Sequence, residues 1–223
     1  MNYPVLIYVT KAKPFLSLDL NPQSKTYRLY RLSEHPDPSK KGEDDQDLNG
    51  LVCFECECKE AFDFSEVVNT NTNLSLKIRN VFESEEVSFR GLKTALTLKQ
   101  IEDYQGQSKT LYALHFENIK AIDEPFPITE LFSDEWCTKP LTTAPQSWAF
   151  AYRKTIIDND LKTVLRYPGR KDTEVIDCGN GKLAVIEKYL VFSIQSTWCC
   201  KFVNGEKDLE IRTRCPKEIK GGK

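Results

Sequence analysis

Near the end of the chain, charged side chains of both signs occupy alternate positions. In the segment 208–214, Glu210, Arg212 and Arg214 are separated from one another by single apolar or hydroxyl residues. Because neighbouring side chains of a β-strand point to opposite faces, the acid and the two guanidinium groups are predicted to share one face. Arginine binds phosphate through a bidentate fork, and Lys207 adds a point charge. The pattern therefore predicts a compact basic face, with one carboxylate, that is suited to phosphate or nucleotide contact.

The same residues allow a catalytic interpretation. If the chain is an enzyme, Lys207 and Glu210 are the candidate catalytic pair, with the carboxylate as general acid or base. His115 is a second candidate proton carrier, but its neighbours are apolar, which favours a buried structural histidine. The sequence contains no Ser-His-Asp set, no phosphate-cradling glycine loop and no metal triad.

Eight cysteines raise the question of a metal site or a disulfide framework. Cys53 and Cys56 have the CxxC interval of zinc sites, but no second pair stands at a suitable distance and the chain has only two histidines. If the segment 51–58 is a strand, Cys56 and Cys58 continue an apolar face and Cys53 lies on the opposite one. The chain is also too large to need disulfides. We therefore expect reduced thiols, no metal and no cofactor.

Composition limits the classes of function. The chain has 223 residues, 40% of them hydrophobic, which is enough to bury a core. The net charge of -2 provides no field over the whole molecule for binding phosphates, so a nucleic-acid site must be a local patch. No run approaches the length of a membrane span and no signal peptide is recognisable, which predicts a cytoplasmic protein without a membrane partner.

Short strands dominate the predicted elements. The pattern predicts two helices: Leu98–Gln105, preceded by a Thr97/Gln100 capping box, and a second one from Ser196 to Asn204. An irregular connection is predicted through Pro125 and Pro127. A hairpin is predicted around Asn180-Gly181. The remaining predicted strands are Val5–Val9, Leu51–Cys58, Leu111–Phe116, Gln146–Phe150, Leu190–Ile194 and Asp208–Arg214. Many strands and few helices predict a barrel or a sheet-rich α+β domain.

The stretch 204–212 resembles the GxKxxExR signature of ASCH domains, which are relatives of the PUA barrels that handle RNA. Gly205, Lys207, Glu210 and Arg212 supply its defined positions. As in that family, an apolar strand and an amphipathic helix precede the motif. ASCH domains normally begin with this segment, whereas here it closes the chain.

The beginning of the chain resembles what the family places after the motif. Residues 4–14, PVLIYVTKAKP, are similar to the family's next strand, and residues 48–58 resemble a later one. The helix 98–106 with the strand 112–115 and the sequence PQSW at 145–148 resemble further elements, the last one as found in phage-type members.

This order implies a circularly permuted ASCH domain, an α+β fold built on a PUA-like small β-barrel flanked by short helices. Residues 1–150 and 188–223 would form the domain, and residues 151–187 would be a bridging segment with a β-hairpin. Two alternatives are a slice of tandem copies, which would form a homodimer by segment exchange, and a chain truncated at Lys223.

The resemblance implies binding of RNA or a nucleotide in a basic cleft. Its implied contacts are the motif residues Lys207, Glu210 and Arg212, together with Arg214, Lys11, Lys13 and the aromatic Trp148. Further aromatic candidates for stacking on a base are Tyr8, Tyr112 and Trp198. For Trp198, a position in the core is favoured.

Two other functions stay open. Some ASCH proteins are hydrolases, either ribonucleases or amidohydrolases of acetylcytidine, but the amidohydrolase branch has Thr where this chain has Glu210. A protein-interaction module of phage origin is the third interpretation.

Overall fold

The computed structural model describes residues 2–10, 15–19, 27–30, 45–64, 85–106, 110–158, 173–179 and 182–219. Its elements, in chain order, are β1 (Tyr3–Val9), β2 (Phe15–Asp19), β3 (Tyr27–Tyr30), β4 (Asp45–Asp47), β5 (Leu51–Asp63), β6 (Glu86–Phe89), β7 (Leu92–Thr97), α1 (Leu98–Gln105), β8 (Tyr112–Pro127), a 3-10 turn (Ile128–Glu130), β9 (Leu131–Phe132), β10 (Trp148–Asp158), β11 (Thr173–Gly179), β12 (Lys182–Ile194), α2 (Ser196–Val203) and β13 (Leu209–Arg212).

One mixed sheet organises the described residues. Its strand order is β13-β8-β5-β1-β12-β10-β9, and β11 pairs with β12 beside this path. β1 and β12 are parallel, with Val5 opposite Leu190, whereas the other neighbours are antiparallel. Two smaller sheets, β3-β2-β4 and β6-β7, are not part of its strand ladder. The predicted sheet-rich α+β class is confirmed, and the described strands form no closed barrel.

Alternation along the central strands separates two cores. In β1, Val5 and Ile7 contribute to a cluster that also contains Phe192 and the α2 residues Cys199 and Phe202. The intervening residues belong to a second cluster on the other face, which contains Leu6, Tyr8, Val52, Leu131 and Val191. The sheet is therefore buried on both faces at β1 and β12, as expected for a parallel pair.

A bulge in β5 changes which residues share a face. Ile7 pairs with Phe54 but Tyr8 pairs with Val52, so Cys53 is the extra residue. Cys53 consequently lies in the same cluster as Phe54, Cys56 and Cys58, and Val52 lies in the cluster on the opposite face. The predicted face of Cys56 and Cys58 is confirmed, and the assignment of Cys53 and Val52 is wrong because simple alternation assumes an unbroken ladder.

Both predicted helices are confirmed. The Thr97 side chain accepts a hydrogen bond from the Gln100 amide, and the Gln100 side chain accepts one from the Thr97 amide, so the capping box of α1 is complete. α2 ends at Val203 with Asn204 as its C-cap, and Gly205 has a φ of 70°, a conformation that glycine adopts without steric cost.

The predicted irregular connection through Pro125 and Pro127 is wrong, because β8 runs without interruption to Pro127. The register jumps from Ala121 opposite Phe54 to Phe126 opposite Val52, so Pro125 lies in a bulge. A bulge is one of the few positions in a sheet that tolerate a residue without an amide donor.

The described parts of the predicted bridging segment, residues 151–158, 173–179 and 182–187, belong to strands of the main sheet. β10 crosses residue 150 and β12 crosses residue 188, so both proposed boundaries lie inside strands. The predicted hairpin strands pair as β11 and β12, while Asn180-Gly181 lies outside the described residues. In the part of the chain that the structure describes, no helix has the length and apolar character needed to cross a bilayer.

Candidate functional site

A cleft of about 590 Å³ lies between the two helices and above the ends of β12 and β13. The end of β12 contributes Ser193, and β13 contributes Glu210 and Arg212. The remaining lining residues come from the end of β1, from β7 and α1, from the loop before β10, from the start of α2 and from Lys207 before β13. Four separate parts of the chain therefore build one concave surface, which is the usual form of a small-molecule site.

Three charged side chains form the floor of this cleft. The Glu210 carboxylate lies 2.8 Å from Arg212 Nη2 through one oxygen and 3.4 Å from Lys207 Nζ through the other. The side chains of Lys207, Glu210 and Arg212 are only 2%, 9% and 13% exposed. One anion thus bridges two cations in a largely dry environment, which leaves one positive charge in excess.

Lys207 is held by more than its carboxylate partner. Its Nζ donates a hydrogen bond to the backbone carbonyl of Thr94 at 3.1 Å. The same atom lies 5.2 Å from the ring centres of both Trp198 and Phe202, within the range of a cation–π interaction. Burial lowers the pKa of the Lys207 ammonium, although the attraction of Glu210 acts in the opposite direction. The amine is therefore easier to deprotonate than a lysine in water.

Backbone geometry in β7 directs the Thr94 carbonyl toward Lys207. Ala95 has a φ of 56°, in the left-handed region that residues with a Cβ rarely adopt, and it is buried. The ladder between β6 and β7 is irregular here, because its register shifts between Glu86 and Ser88. The Thr94 hydroxyl donates to the Val87 carbonyl at 2.6 Å and accepts from the Leu96 amide, which fixes the irregular segment. The strained residue thus lies next to the carbonyl that receives the lysine.

Arg212 connects the floor to the strand end. Its Nη2 donates to the carbonyl of Ser193 at 2.8 Å, and its Nη1 lies 3.5 Å from the hydroxyl of Ser147. Arg212 Nε and the Thr10 hydroxyl are buried and have no hydrogen-bond partner in the part of the chain that the structure describes. Both residues line the cleft. The cleft therefore retains unsatisfied polar groups beside its cationic floor.

The walls of the cleft carry aromatic and amide side chains. Gln100 and Tyr104 are one turn apart on α1, and Tyr104 is 47% exposed. Gln195 and Trp198 stand opposite, at the start of α2, and Gln146 comes from the loop before β10. Sequence reasoning missed all the glutamines and Tyr104; the exposed i, i+4 spacing on a capped helix was the available signal.

Comparison with protein-family profiles, curated proteins and solved structures gives no match for this chain. The geometry of the cleft alone therefore carries the functional argument.

The structure brings some of the predicted site residues together and separates others. Lys207, Glu210 and Arg212 lie in the cleft, and Trp198, which the sequence favours as a core residue, lines it while also packing against the core. Arg214 follows the end of β13, is exposed and does not line the cleft. Lys11 and Lys13 lie outside the described residues.

The other aromatic candidates lie elsewhere. Trp148 is beside the cleft, where its indole nitrogen donates to the Arg214 carbonyl at 3.3 Å and its ring packs against Phe150. Tyr8 and Tyr112 are buried. Trp148 therefore joins the C-terminal segment to β10.

Neither His115 nor any of the cysteines lines the cleft. His115 is 7% exposed on β8, between Glu60 at 3.8 Å and Glu117 at 3.5 Å. All eight cysteines are among the described residues, and all are free thiols. No group of three or more His, Cys, Asp or Glu side chains in the described ranges is arranged to hold a metal ion.

Proposed function

We propose that this chain binds RNA or a nucleotide, with a base and its phosphate held in the cleft between α1 and α2. The observation that carries the proposal is the combination of a cationic floor, at Lys207 and Arg212, with aromatic walls, at Tyr104 and Trp198. Single-stranded nucleic acid is recognised by stacking on aromatic rings together with cationic contacts to phosphate.

The size and polar lining of the cleft support this assignment. A volume of about 590 Å³ falls within the range of small-molecule sites and admits one nucleotide. The side-chain amides of Gln100, Gln146 and Gln195 each supply both a donor and an acceptor for the edge of a base. Arg212 Nη2 contacts the Glu210 carboxylate and the Ser193 carbonyl, whereas Arg212 Nε has no hydrogen-bond partner and is a free donor for a ligand. The excess positive charge of the floor favours an anionic ligand.

The proposal extends to an ASCH-like, circularly permuted domain of the PUA-like barrel type. Two features support it. The motif residues Lys207, Glu210 and Arg212 converge in the cleft. The strand β12, which precedes the motif, is the parallel neighbour of β1, which the family would place after the motif. Segment exchange between two copies is the alternative route to the same pairing.

Ligand titration tests the binding proposal. Isothermal titration with nucleoside monophosphates and short single-stranded RNA should show saturable binding, and Tyr104→Ala should weaken it about tenfold because one stacking surface is lost. Asp103→Asn is the matched control, since this exposed residue is the neighbour of Tyr104 on α1. If no ligand binds, or if both variants weaken binding equally, the cleft is not the binding site.

Hydrolysis of RNA or of a modified nucleoside is the second candidate, and the environment of Lys207 favours it. The lowered pKa of this amine and the carboxylate 3.4 Å away provide an acid–base pair inside the cleft. The assay is turnover of RNA and of acetylcytidine by the wild type and by Glu210→Gln, at a temperature at which circular dichroism shows the variant folded. Turnover that disappears while binding persists would establish the enzyme. If neither substrate is turned over but Arg212→Ala weakens RNA binding, the chain is a binding module and not an enzyme for these substrates.

A further inference from the structure

Lys207 is the most buried charged residue in the part of the chain that the structure describes, yet it borders open space. It lines the cleft between α1 and α2. It also lines a second cavity of about 640 Å³, between β8 and the C-terminal end of α2. A small molecule that enters the cleft therefore reaches a lysine that bulk water barely contacts.

The Lys207 ammonium is held less tightly than the guanidinium beside it. A strong hydrogen bond between a charged nitrogen and a carboxylate spans about 2.7–2.9 Å. The contact of Arg212 with Glu210, at 2.8 Å, lies in this range, whereas that of Lys207 with Glu210 is 3.4 Å. The bond from Nζ to the Thr94 carbonyl is 3.1 Å long. Loss of a proton from Lys207 thus breaks no short ion-pair hydrogen bond.

The surroundings of Lys207 favour the neutral, nucleophilic amine. Burial lowers the pKa of Lys207 and outweighs the attraction of Glu210, and the charge of Arg212 acts in the same direction as burial. A desolvated lysine next to another cation is a setting that activates the amine toward carbonyl compounds. Lys59 provides the contrast, because it is exposed and its hydrogen bond to Glu117 at 2.9 Å raises its pKa.

We propose that Lys207 is a nucleophile that forms an imine with a small aldehyde held in the cleft, and that this aldehyde carries an anionic group. The floor has one positive charge in excess, so the anionic group would lie near Arg212. This inference goes beyond the proposed binding of RNA or a nucleotide and does not depend on it, since imine formation requires no base and no ribose.

The covalent step conserves atoms and charge. Glu210 takes a proton from the ammonium, and the freed electron pair of Lys207 Nζ attacks the carbonyl carbon, whose π electrons move to the oxygen. A proton passes from the nitrogen to that oxygen and gives a carbinolamine. Glu210 then returns its proton to the hydroxyl group, which leaves as water while the nitrogen electron pair forms the C=N bond. The ammonium and the aldehyde become an iminium ion and water, without an oxidant or a reductant.

The site that holds the ammonium also suits the product. The iminium ion keeps the positive charge on the same nitrogen, so the attraction of Glu210 is retained. The rings of Trp198 and Phe202, each with its centre 5.2 Å from Nζ, stabilise a cation at this position. They also shield it from water, which hydrolyses imines.

Labelling with pyridoxal 5′-phosphate tests the inference, because this probe carries both an aldehyde and a phosphate and its imine absorbs visible light. The folded wild-type chain is treated near neutral pH with a limiting amount of probe, and borohydride then reduces the imine to a stable secondary amine. Peptide mapping by mass spectrometry should find most of the label on Lys207. The preference should disappear in urea, and pyridoxal, which lacks the phosphate, should label Lys207 less.

Two variants assign the reaction to one side chain. Lys207→Arg keeps the positive charge but removes the nucleophile, so the absorbance of the imine should be lost. Lys59→Arg is the matched control, because it removes an exposed lysine that also has a carboxylate partner, and it should leave the absorbance unchanged. Circular dichroism checks that both variants are folded. If Lys207→Arg is not folded, the peptide map of the wild type decides.

Two results would overturn the inference. Label on exposed lysines, with Lys207 unmodified in the folded wild type, would show that this lysine is a structural cation. An imine absorbance that persists in folded Lys207→Arg would assign the reaction to another amine. Failure of the proposed function is a separate result: uridine monophosphate does not bind and does not slow the labelling of Lys207, while the labelling itself persists.

Discussion

At the residue scale, Glu210 determines the stability of the cleft floor. A carboxylate shared by Lys207 and Arg212 neutralises part of two cations that the fold has removed from water. The desolvation cost of a buried ion pair can exceed the gain from the pair itself, so such groups are weak evidence for stability. Removal of one partner is a different case, because it leaves the other charges buried without compensation.

The first prediction concerns Glu210→Gln. We expect the free energy of unfolding to fall by about 3 kcal/mol, because Lys207 and Arg212 then remain buried without their anion. Urea denaturation followed by circular dichroism measures the change. Glu206→Gln, an exposed acid at the end of α2, is the control and should change stability by less than about 0.5 kcal/mol. Equal effects of the two substitutions would contradict a buried ion triad.

The second prediction is a pH dependence that arises from Lys207. Its pKa in the folded chain is below the ordinary value of 10.5, so the unfolded chain binds more protons between the two values. Stability therefore rises with pH in that alkaline window, and the gain is lost as pH falls through the folded pKa. The difference in unfolding free energy between the wild type and Lys207→Met should move in favour of the wild type as pH approaches 10.5. A pH-independent difference would show that burial does not perturb this amine.

At the element scale, the irregular β7 and the capped helix α1 act together. The residue with positive φ, Ala95, turns the Thr94 carbonyl toward Lys207, and two residues later Thr97 begins the helix that carries Gln100 and Tyr104. Non-glycine residues in such conformations persist only where the surrounding structure holds them, and they cluster at functional sites. One short stretch of chain thus positions both the floor and one wall of the cleft.

The third prediction compares glycine substitutions at two buried alanines. At Ala95, relief of the left-handed strain, about 1 kcal/mol, offsets the lost methyl group and the added freedom of the unfolded chain. We expect Ala95→Gly to stay within about 0.5 kcal/mol of the wild type, and Ala113→Gly, in β8, to cost about 1.5 kcal/mol. Thermal and urea unfolding give both values. If Ala95→Gly is as costly as Ala113→Gly, the backbone at Ala95 is not strained.

At the scale of the whole molecule, the central position of β12 explains how distant parts of the chain meet. β12 pairs with β1, β10 and β11, so the beginning, the middle and the end of the sequence share one sheet. The apolar face beneath α2 buries thiols from β5 and from α2 in the same cluster. Burial raises the pKa of Cys58 to about 12 and that of Cys200 to about 11.

The fourth prediction uses these thiols as a report on the fold. Because the thiolate is the reactive form, the five buried cysteines should react slowly with a thiol reagent near neutral pH, and the exposed Cys178 should react first. Mass spectrometry after partial labelling assigns the order, and unfolding in urea should make all eight react. Rapid labelling of Cys56 or Cys199 in the folded protein would contradict the packing of the core.

Local pattern by itself determined both helices, several of the strands and one part of the site. The capping box predicted α1 to the residue, and alternation along β13 placed Glu210 and Arg212 on one side of the strand, because both signals depend only on neighbours in sequence. The strand was predicted to continue to Arg214, but it ends at Arg212. The strand through Pro125 could not be predicted, since a bulge is decided by the partner strand.

Only the tertiary structure decided what stands around the charged strand. Which residues face Glu210 depends on how the sheet brings together α1, α2 and the loop before β10, three segments far apart in sequence. Tyr104, Trp198 and Gln146 became site residues in this way, and Arg214 was separated from the site. The spacing of residues along a chain shows which side chains lie on the same face of one helix or strand. The residues of a cleft depend on which elements pack together, and this packing is set by the burial of apolar faces over the whole molecule.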